Sequence, residues 1–222
     1  MTITIVKICG ITTLDDALMA AQAGADMLGL NFFKKSARYI EPAAARELAT
    51  ALRAELGAAT PLLVGVFVND LVSRISLTME QVGLNFAQLS GDESFEMLRE
   101  LRGIGFKAIR PRTAAEALDD TGYYGQFPLT DPRIPSILLD AFKVGQYGGT
   151  GLQAAEDIAK AVKDATPRLM LAGGLTPDNV AERVKLVQPW GVDVASGVEG
   201  DQAGRKDAAK VRDFVQAARA EA

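Results

Sequence analysis

The chain of 222 residues contains no histidine. That absence removes Ser-His-Asp and Cys-His catalysis, histidine-ligated zinc and an imidazole proton shuttle. A single cysteine, Cys9, excludes an internal disulfide and any cysteine-cluster metal site. Aromatic residues are only 6% of the chain, too few for a base-stacking platform on single-stranded nucleic acid. Positive charge is not in excess either: the net charge is −4, which gives no electrostatic case for nucleic acid or an anionic membrane. No apolar run approaches the roughly 18 residues of a membrane span. The opening MTITIVKICG lacks the basic start and small-residue cleavage site of a secretory signal. The expectation is a cytoplasmic protein whose partner is a small molecule, with its thiol kept reduced. Any acid–base chemistry must then fall to Asp, Glu, Lys, Tyr or that one thiol.

What is present is ordinary in amount, with 48% hydrophobic and 23% charged residues, and regular in order. Short β-branched runs alternate with Ala- and Leu-rich helical stretches. Strands are expected at Thr2 to Ile8, Met27 to Phe32, Leu62 to Val68, Asn85 to Leu89, Gly105 to Ile109, Ser136 to Leu139, Arg168 to Ala172 and Val192 to Ala195. The intervening helices are expected over Leu14 to Ala23, Pro42 to Leu56, from Asn69–Asp70 as caps, Glu93 to Leu101, Ala114 to Leu118, Leu152 to Val162, after Thr176-Pro177, and Lys206 to Ala218. Thr121 to Pro135, with its three prolines, reads as a loop. Repeated βα units require a parallel sheet, since parallel strands need crossover helices. Eight of them with no linker between predict one (β/α)8 TIM barrel domain over residues 1–222, with a closed eight-stranded parallel sheet. The runner-up is an open doubly wound sheet, but CGITT after the first strand is no dinucleotide fingerprint.

In such a barrel the working residues lie at the carboxyl ends of strands and in the loops that follow. That rule selects Cys9-Gly10, Asn31 with the loop to Arg38, Asn69-Asp70, Ser90-Gly91-Asp92, Arg110, Asp140, Gly173-Gly174 and Ser196-Gly197. Glycine lets backbone N–H groups approach a ligand, a helix N-terminus adds a field favourable to anions, and loops seven and eight are the usual barrel phosphate site. Gly173, Gly174, Ser196 and Gly197 are therefore phosphate candidates, against the plainer reading of tight turns. GQYGGTG, at Gly145 to Gly151, is either a loop folding over substrate or a connector. Strand alternation puts Lys7 on the face of Cys9, and Asp193 on a strand that neighbours the first in a closed barrel. Lys7 then either lowers the thiol pKa or is held by Asp193 in a structural ion pair. Asp140 is a helix cap or a general acid, and Arg38 a solvated charge or a fork for a carboxylate.

Motif by motif the chain resembles the phosphoribosylanthranilate isomerase family of tryptophan biosynthesis. The resemblance is carried by VKICGIT (Val6 to Thr12), GADMLGLNF (Gly24 to Phe32), SARYI (Ser36 to Ile40), GVFVN (Gly65 to Asn69) and LSGDE (Leu89 to Glu93). It continues through ILLDA (Ile137 to Ala141), GGTG (Gly148 to Gly151), LAGGLTPDNV (Leu171 to Val180) and GVDVASGVEG (Gly191 to Gly200). The resemblance implies a (β/α)8 barrel that converts N-(5-phosphoribosyl)anthranilate into 1-(2-carboxyphenylamino)-1-deoxyribulose 5-phosphate by an Amadori rearrangement. It further implies Cys9 as general base, Asp140 as general acid and Arg38 on the anthranilate carboxylate. Gly173, Gly174, Ser196 and Gly197 would hold the phosphate, with neither metal nor organic cofactor; Lys7 and Asp193, read from strand alternation, stand as supporting residues. It leaves monomer and homodimer equally open. There are three departures from the family pattern: Ser90 stands where histidine is usual, Ala37 where proline is usual, and Leu152 to Ala155 replace a Phe–acidic/amide–Trp pattern. Another sugar-phosphate isomerase or epimerase, or a barrel that binds a phosphorylated ligand without turnover, remains the alternative.

Overall fold

A computed structural model describes residues 4–126, 129–140 and 156–220. The strands are β1 Ile5–Cys9, β2 Met27–Asn31, β3 Leu62–Phe67, β4 Phe86–Leu89, β5 Gly105–Ile109, β6 Ile137–Leu139, β7 Leu169–Leu171 and β8 Gly191–Val194. They pair in parallel and in sequence order, and β1 pairs with β8 to close the barrel. The helices are α1 Leu14–Gln22, α2 Pro42–Leu56, α3 Val72–Val82, α4 Phe95–Glu100, α5 Ala114–Tyr124, α6 Glu156–Ala165, α7 Val180–Val187 and α8 Ala208–Ala220. This is the closed barrel that the alternation predicts, and the open sheet is excluded.

Period-two alternation divides the side chains between the barrel interior and the side facing the helices. Inward residues such as Met27, Val64, Phe86, Phe106, Leu138 and Met170 pack into one buried cluster that fills the barrel. Outward residues such as Val6, Leu28, Leu63 and Val192 meet the helices in a second, larger one. Local chemistry starts the helices: Thr13 Oγ1 accepts from Asp16 N at 3.3 Å, Pro42 opens α2, and Thr113 Oγ1 accepts from Glu116 N at 3.1 Å.

Several helix boundaries differ from the sequence reading, among them the start of α4 at Phe95 and not at Glu93, and four of the others have a tertiary reason. Helix α3 starts at Val72 and not at Asn69–Asp70, because Asn69 is left-handed (φ 52°) and its N–H is taken by Glu93 Oε1 at 2.7 Å. Helix α5 runs on to Tyr124, into the stretch read as loop; buried Ala117 and Thr121 carry it, and Tyr124 Oη anchors its end on Glu93 O at 3.0 Å. Helix α7 begins at Val180 and not beside Pro177, since Asn179 Oδ1 accepts from Thr176 N at 2.9 Å and holds those residues in a turn. Lys206 is excluded from α8 because it forms a bridge with Glu199. The glycine-rich segment Gly145 to Gly151 and the Leu152 to Ala155 departure lie outside the described residues.

Candidate active site

At the carboxyl end of β1, Cys9 and Lys7 face the barrel interior. Lys7 is fully buried, and its Nζ donates to Asp193 Oδ1 at 2.8 Å, directly across the β1–β8 pairing where Lys7 is in register with Asp193. The ion pair, one of the two alternatives for Lys7, is therefore formed. Room for it comes from Gly29 on β2, where a Cβ would stand 2.7 Å from Cys9 Sγ and 3.1 Å from Lys7 Nζ. Burial alone would pull the Lys7 ammonium down, but Asp193 and the neighbouring thiol outweigh it and hold its pKa above the usual lysine value. Burial pushes the Cys9 thiol up, against the pull of Lys7. Of the two alternatives for Lys7, the pull on the thiol is also present, but desolvation of a thiolate in the barrel mouth outweighs it and leaves the net shift upward.

Above this corner lies a cavity of about 460 Å³ lined by Cys9, Asp140, Gln88 and Asp193 among others. Asp140 follows β6, is buried, and is pinned by its backbone N–H to Ile109 O at 3.0 Å. Arg38, Gly173, Gly174, Ser196 and Gly197 line the same cavity. The structure therefore brings every candidate of the cavity wall together, with Lys7 just beneath.

The loops after β7 and β8 need their glycines. Gly173 and Gly174 have φ of 85° and 61°, a left-handed pair that side chains resist. At Gly197 a Cβ would collide with Leu175 O, so loop eight touches the backbone of loop seven only because no side chain intervenes. Both loops bend tightly and both line the cavity, so the two readings of these glycines are compatible.

Arg38 is a fork for a carboxylate, but the carboxylate it grips is that of Glu199. Its Nε and Nη2 donate to Glu199 Oε1 and Oε2 at 2.6 and 2.8 Å. These bonds raise the Arg38 pKa. Burial opposes the Glu199 charge, yet Arg38 and Lys206 together hold its pKa below the usual carboxylate value. Lys206 Nζ lies 3.2 Å from Glu199 Oε1 and donates to Ala195 O at 2.9 Å. The loop bearing Arg38 is closed without the usual proline: Ser36 N donates to Phe33 O, Tyr39 N to Ser36 O, and Arg38 N to Ser36 Oγ. Asn31 Nδ2 supports that hydroxyl at 3.2 Å.

Sequence reasoning missed Glu199, Lys206, Gln88 and the seat at Gly29. Alternation along β4 would have found Gln88, an amide facing the barrel interior. Its Nε2 donates to Ser90 Oγ at 3.0 Å, while Oε1 is buried with no hydrogen-bond partner among the described residues. Asn31 and Ser90 also line the cavity, while other strand-end candidates serve the loops. Arg110 Nη1 donates to Ser90 O at 2.8 Å, and Asn69 Oδ1 accepts from Asp92 N at 2.6 Å. Glu93 accepts from Gly91 N at 2.8 Å and meets buried Lys107 at 3.0 Å. Among the described residues no group of three or more cysteine or carboxylate side chains is arranged to hold a metal ion, and no helix is long and apolar enough to cross a membrane.

Comparison with known proteins bears on this geometry. The sequence profile described as N-(5'phosphoribosyl)anthranilate (PRA) isomerase matches residues 6–217. An N-(5'-phosphoribosyl)anthranilate isomerase of Geobacter metallireducens is 44% identical, over 97% of this chain and 98% of that protein. One from a Roseiflexus species is 45% identical over 98% of each. The crystal structure of phosphoribosyl anthranilate isomerase from Thermotoga maritima superposes with a TM-score of 0.83 at 34% identity, covering 97% of this chain and 98% of that one. A further solved isomerase, with TM-score 0.80, 34% identity and the same coverage, holds reduced 1-(o-carboxyphenylamino)-1-deoxyribulose 5-phosphate.

Proposed function

The chain belongs to the N-(5'-phosphoribosyl)anthranilate isomerase family, an aldose–ketose isomerase of tryptophan biosynthesis, and on that premise we propose how its residues divide the reaction. The observation that carries the assignment is one cavity walled by the only thiol, a buried carboxyl and the glycines of loops seven and eight. Asp140 gives a proton to the furanose ring oxygen as the C1–O bond breaks, leaving an iminium between C1 and the anthranilate nitrogen. Cys9 then takes the proton from C2. The released electron pair flows to the iminium nitrogen and forms an enolamine. That enolamine gains a proton at C1 while its C2 hydroxyl loses one, and the ketone results.

The iminium makes the C2 proton acidic, so a modest base suffices. It also places a positive charge beside the thiol, which offsets the desolvation that holds Cys9 protonated in the free enzyme. Lys7 and Asp193 support this step as a fixed pair beneath the thiol. Backbone N–H groups of Gly173, Gly174, Ser196 and Gly197 take the phosphate. Arg38 meets the anthranilate carboxylate, and Gln88 Oε1 supplies an acceptor for a sugar hydroxyl. A protein of this pathway works in the cytoplasm on a phosphorylated small molecule. The test is the loss of substrate fluorescence on turnover. The wild type should convert N-(5'-phosphoribosyl)anthranilate, with Cys9→Ala and Asp140→Asn each at least about 100-fold slower, the scale of a lost acid or base. Unchanged turnover in either variant removes that residue from its role.

A further inference from the structure

We infer that Glu199, which does not line the cavity, is a positioning residue for this reaction. It holds the Arg38 guanidinium in one orientation and leaves Nη1 to meet the substrate carboxylate. The inference rests on the reading of Arg38 given above and adds what aims it.

Three observations carry it. First, the Glu199 carboxylate takes both donors on one edge of the guanidinium in parallel, at 2.6 and 2.8 Å, the geometry that fixes the plane of an arginine fork. Second, Glu199 is itself immobilised. It is buried, Lys206 Nζ meets Oε1 at 3.2 Å, Lys210 Nζ donates to its backbone oxygen at 2.8 Å, and its own N–H reaches Ser196 O at 3.1 Å. Third, the Arg38 stem is packed closely against backbone. Gly10 beside Cys9 has φ 76°, and a Cβ there would collide with Arg38 Cδ. A long side chain with many rotamers is thereby held at both ends, and the ordering cost is met before the ligand arrives.

A purely electrostatic role makes the opposite forecast. Glu199 offsets the positive charge of Arg38 and Lys206, so removing it should strengthen the attraction for an anionic ligand. Positioning says the reverse, and the sign of the effect decides.

The experiment measures Kd by calorimetry for reduced 1-(2-carboxyphenylamino)-1-deoxyribulose 5-phosphate and for the same compound without its carboxylate. The proteins are wild type, Glu199→Gln, Arg38→Met and the double variant. The wild type should favour the carboxylated probe by at least about 10-fold, the scale of a charge-assisted hydrogen bond. Glu199→Gln should weaken that probe about 5- to 10-fold and the other by less than about 2-fold, and the double variant should be no weaker than Arg38→Met alone. Equal or tighter binding of the carboxylated probe by Glu199→Gln, equal loss on both probes, or additive losses would overturn the inference. If Arg38→Met weakens both probes alike, the reading of Arg38 fails and the inference with it. A carboxylate-selective loss in Arg38→Met with none in Glu199→Gln removes the inference alone. Should Glu199→Gln fail to fold, Arg38→Lys retains the cation but not the parallel pair of bonds. It should lose affinity for the carboxylated probe selectively, and wild-type affinity there overturns the positioning role.

Discussion

Cys9 is asked to be a base in a place that disfavours its charge. Burial pushes the thiol up, and the cations Lys7 and Lys206 recover only part of that cost. A base with a raised pKa is mostly protonated at neutral pH, so its reactive fraction grows as pH rises through and beyond the ordinary thiol value of 9.0. Alkylation of the free protein by iodoacetamide should therefore keep accelerating past pH 9 instead of levelling near it. Removing Lys7 and Asp193 together, as Lys7→Met with Asp193→Leu, takes away a stronger attraction and a weaker repulsion. The midpoint should move higher still. A plateau below pH 9 in the wild type would mean that the cations, and not desolvation, set the thiol. Sequence position alone reaches Cys9 and its neighbour Lys7 through period-two alternation. It cannot weigh burial against a nearby charge, because that balance depends on Gly29 opening space on the next strand.

At the scale of the element, the seam between β1 and β8 closes the barrel with one buried ion pair. Lys7 and Asp193 lie 186 residues apart in sequence yet opposite each other in register. Breaking such a pair leaves one charge buried without its partner, whereas replacing both with apolar residues of similar size is often near neutral. Lys7→Met should cost about 3–5 kcal/mol in urea denaturation, and the double replacement should recover most of it. If the double variant is as unstable as the single one, the seam depends on the charges themselves. The helices tell a related story about what sequence discloses. Starts set by local chemistry, at Thr13, Pro42 and Thr113, are readable from neighbours three or four residues away. Starts set by tertiary demands are not: Asn69, Glu93 and Lys206 look like helix openers but are spent on other loops and on buried partners.

For the whole molecule, alternation of strand and helix was enough to name a closed barrel, and the barrel in turn told which strand ends to inspect. The wall of the cavity was legible for that reason. Its supports were not, because Glu199 and Arg38 are 161 residues apart and no local pattern links them. Their pairing fastens the loop after β2 to the one after β8, and Lys206 and Lys210 tie it to the start of α8. That tie has a pH signature. In the folded protein Glu199 has a pKa below its ordinary 4.5, since Arg38 and Lys206 outweigh burial. The unfolded chain then takes up the proton first as pH falls. The stabilisation is fully present above about 4.5, the unfolded value, and is lost as pH drops through the lower folded one. Urea denaturation of wild type and Glu199→Gln should therefore show a constant gap from pH 7 down to about 5 and a narrowing gap below 4.5. A gap that stays constant to pH 3 would mean that the Glu199 charge adds nothing to the fold. Its shape alone would then join the two loops.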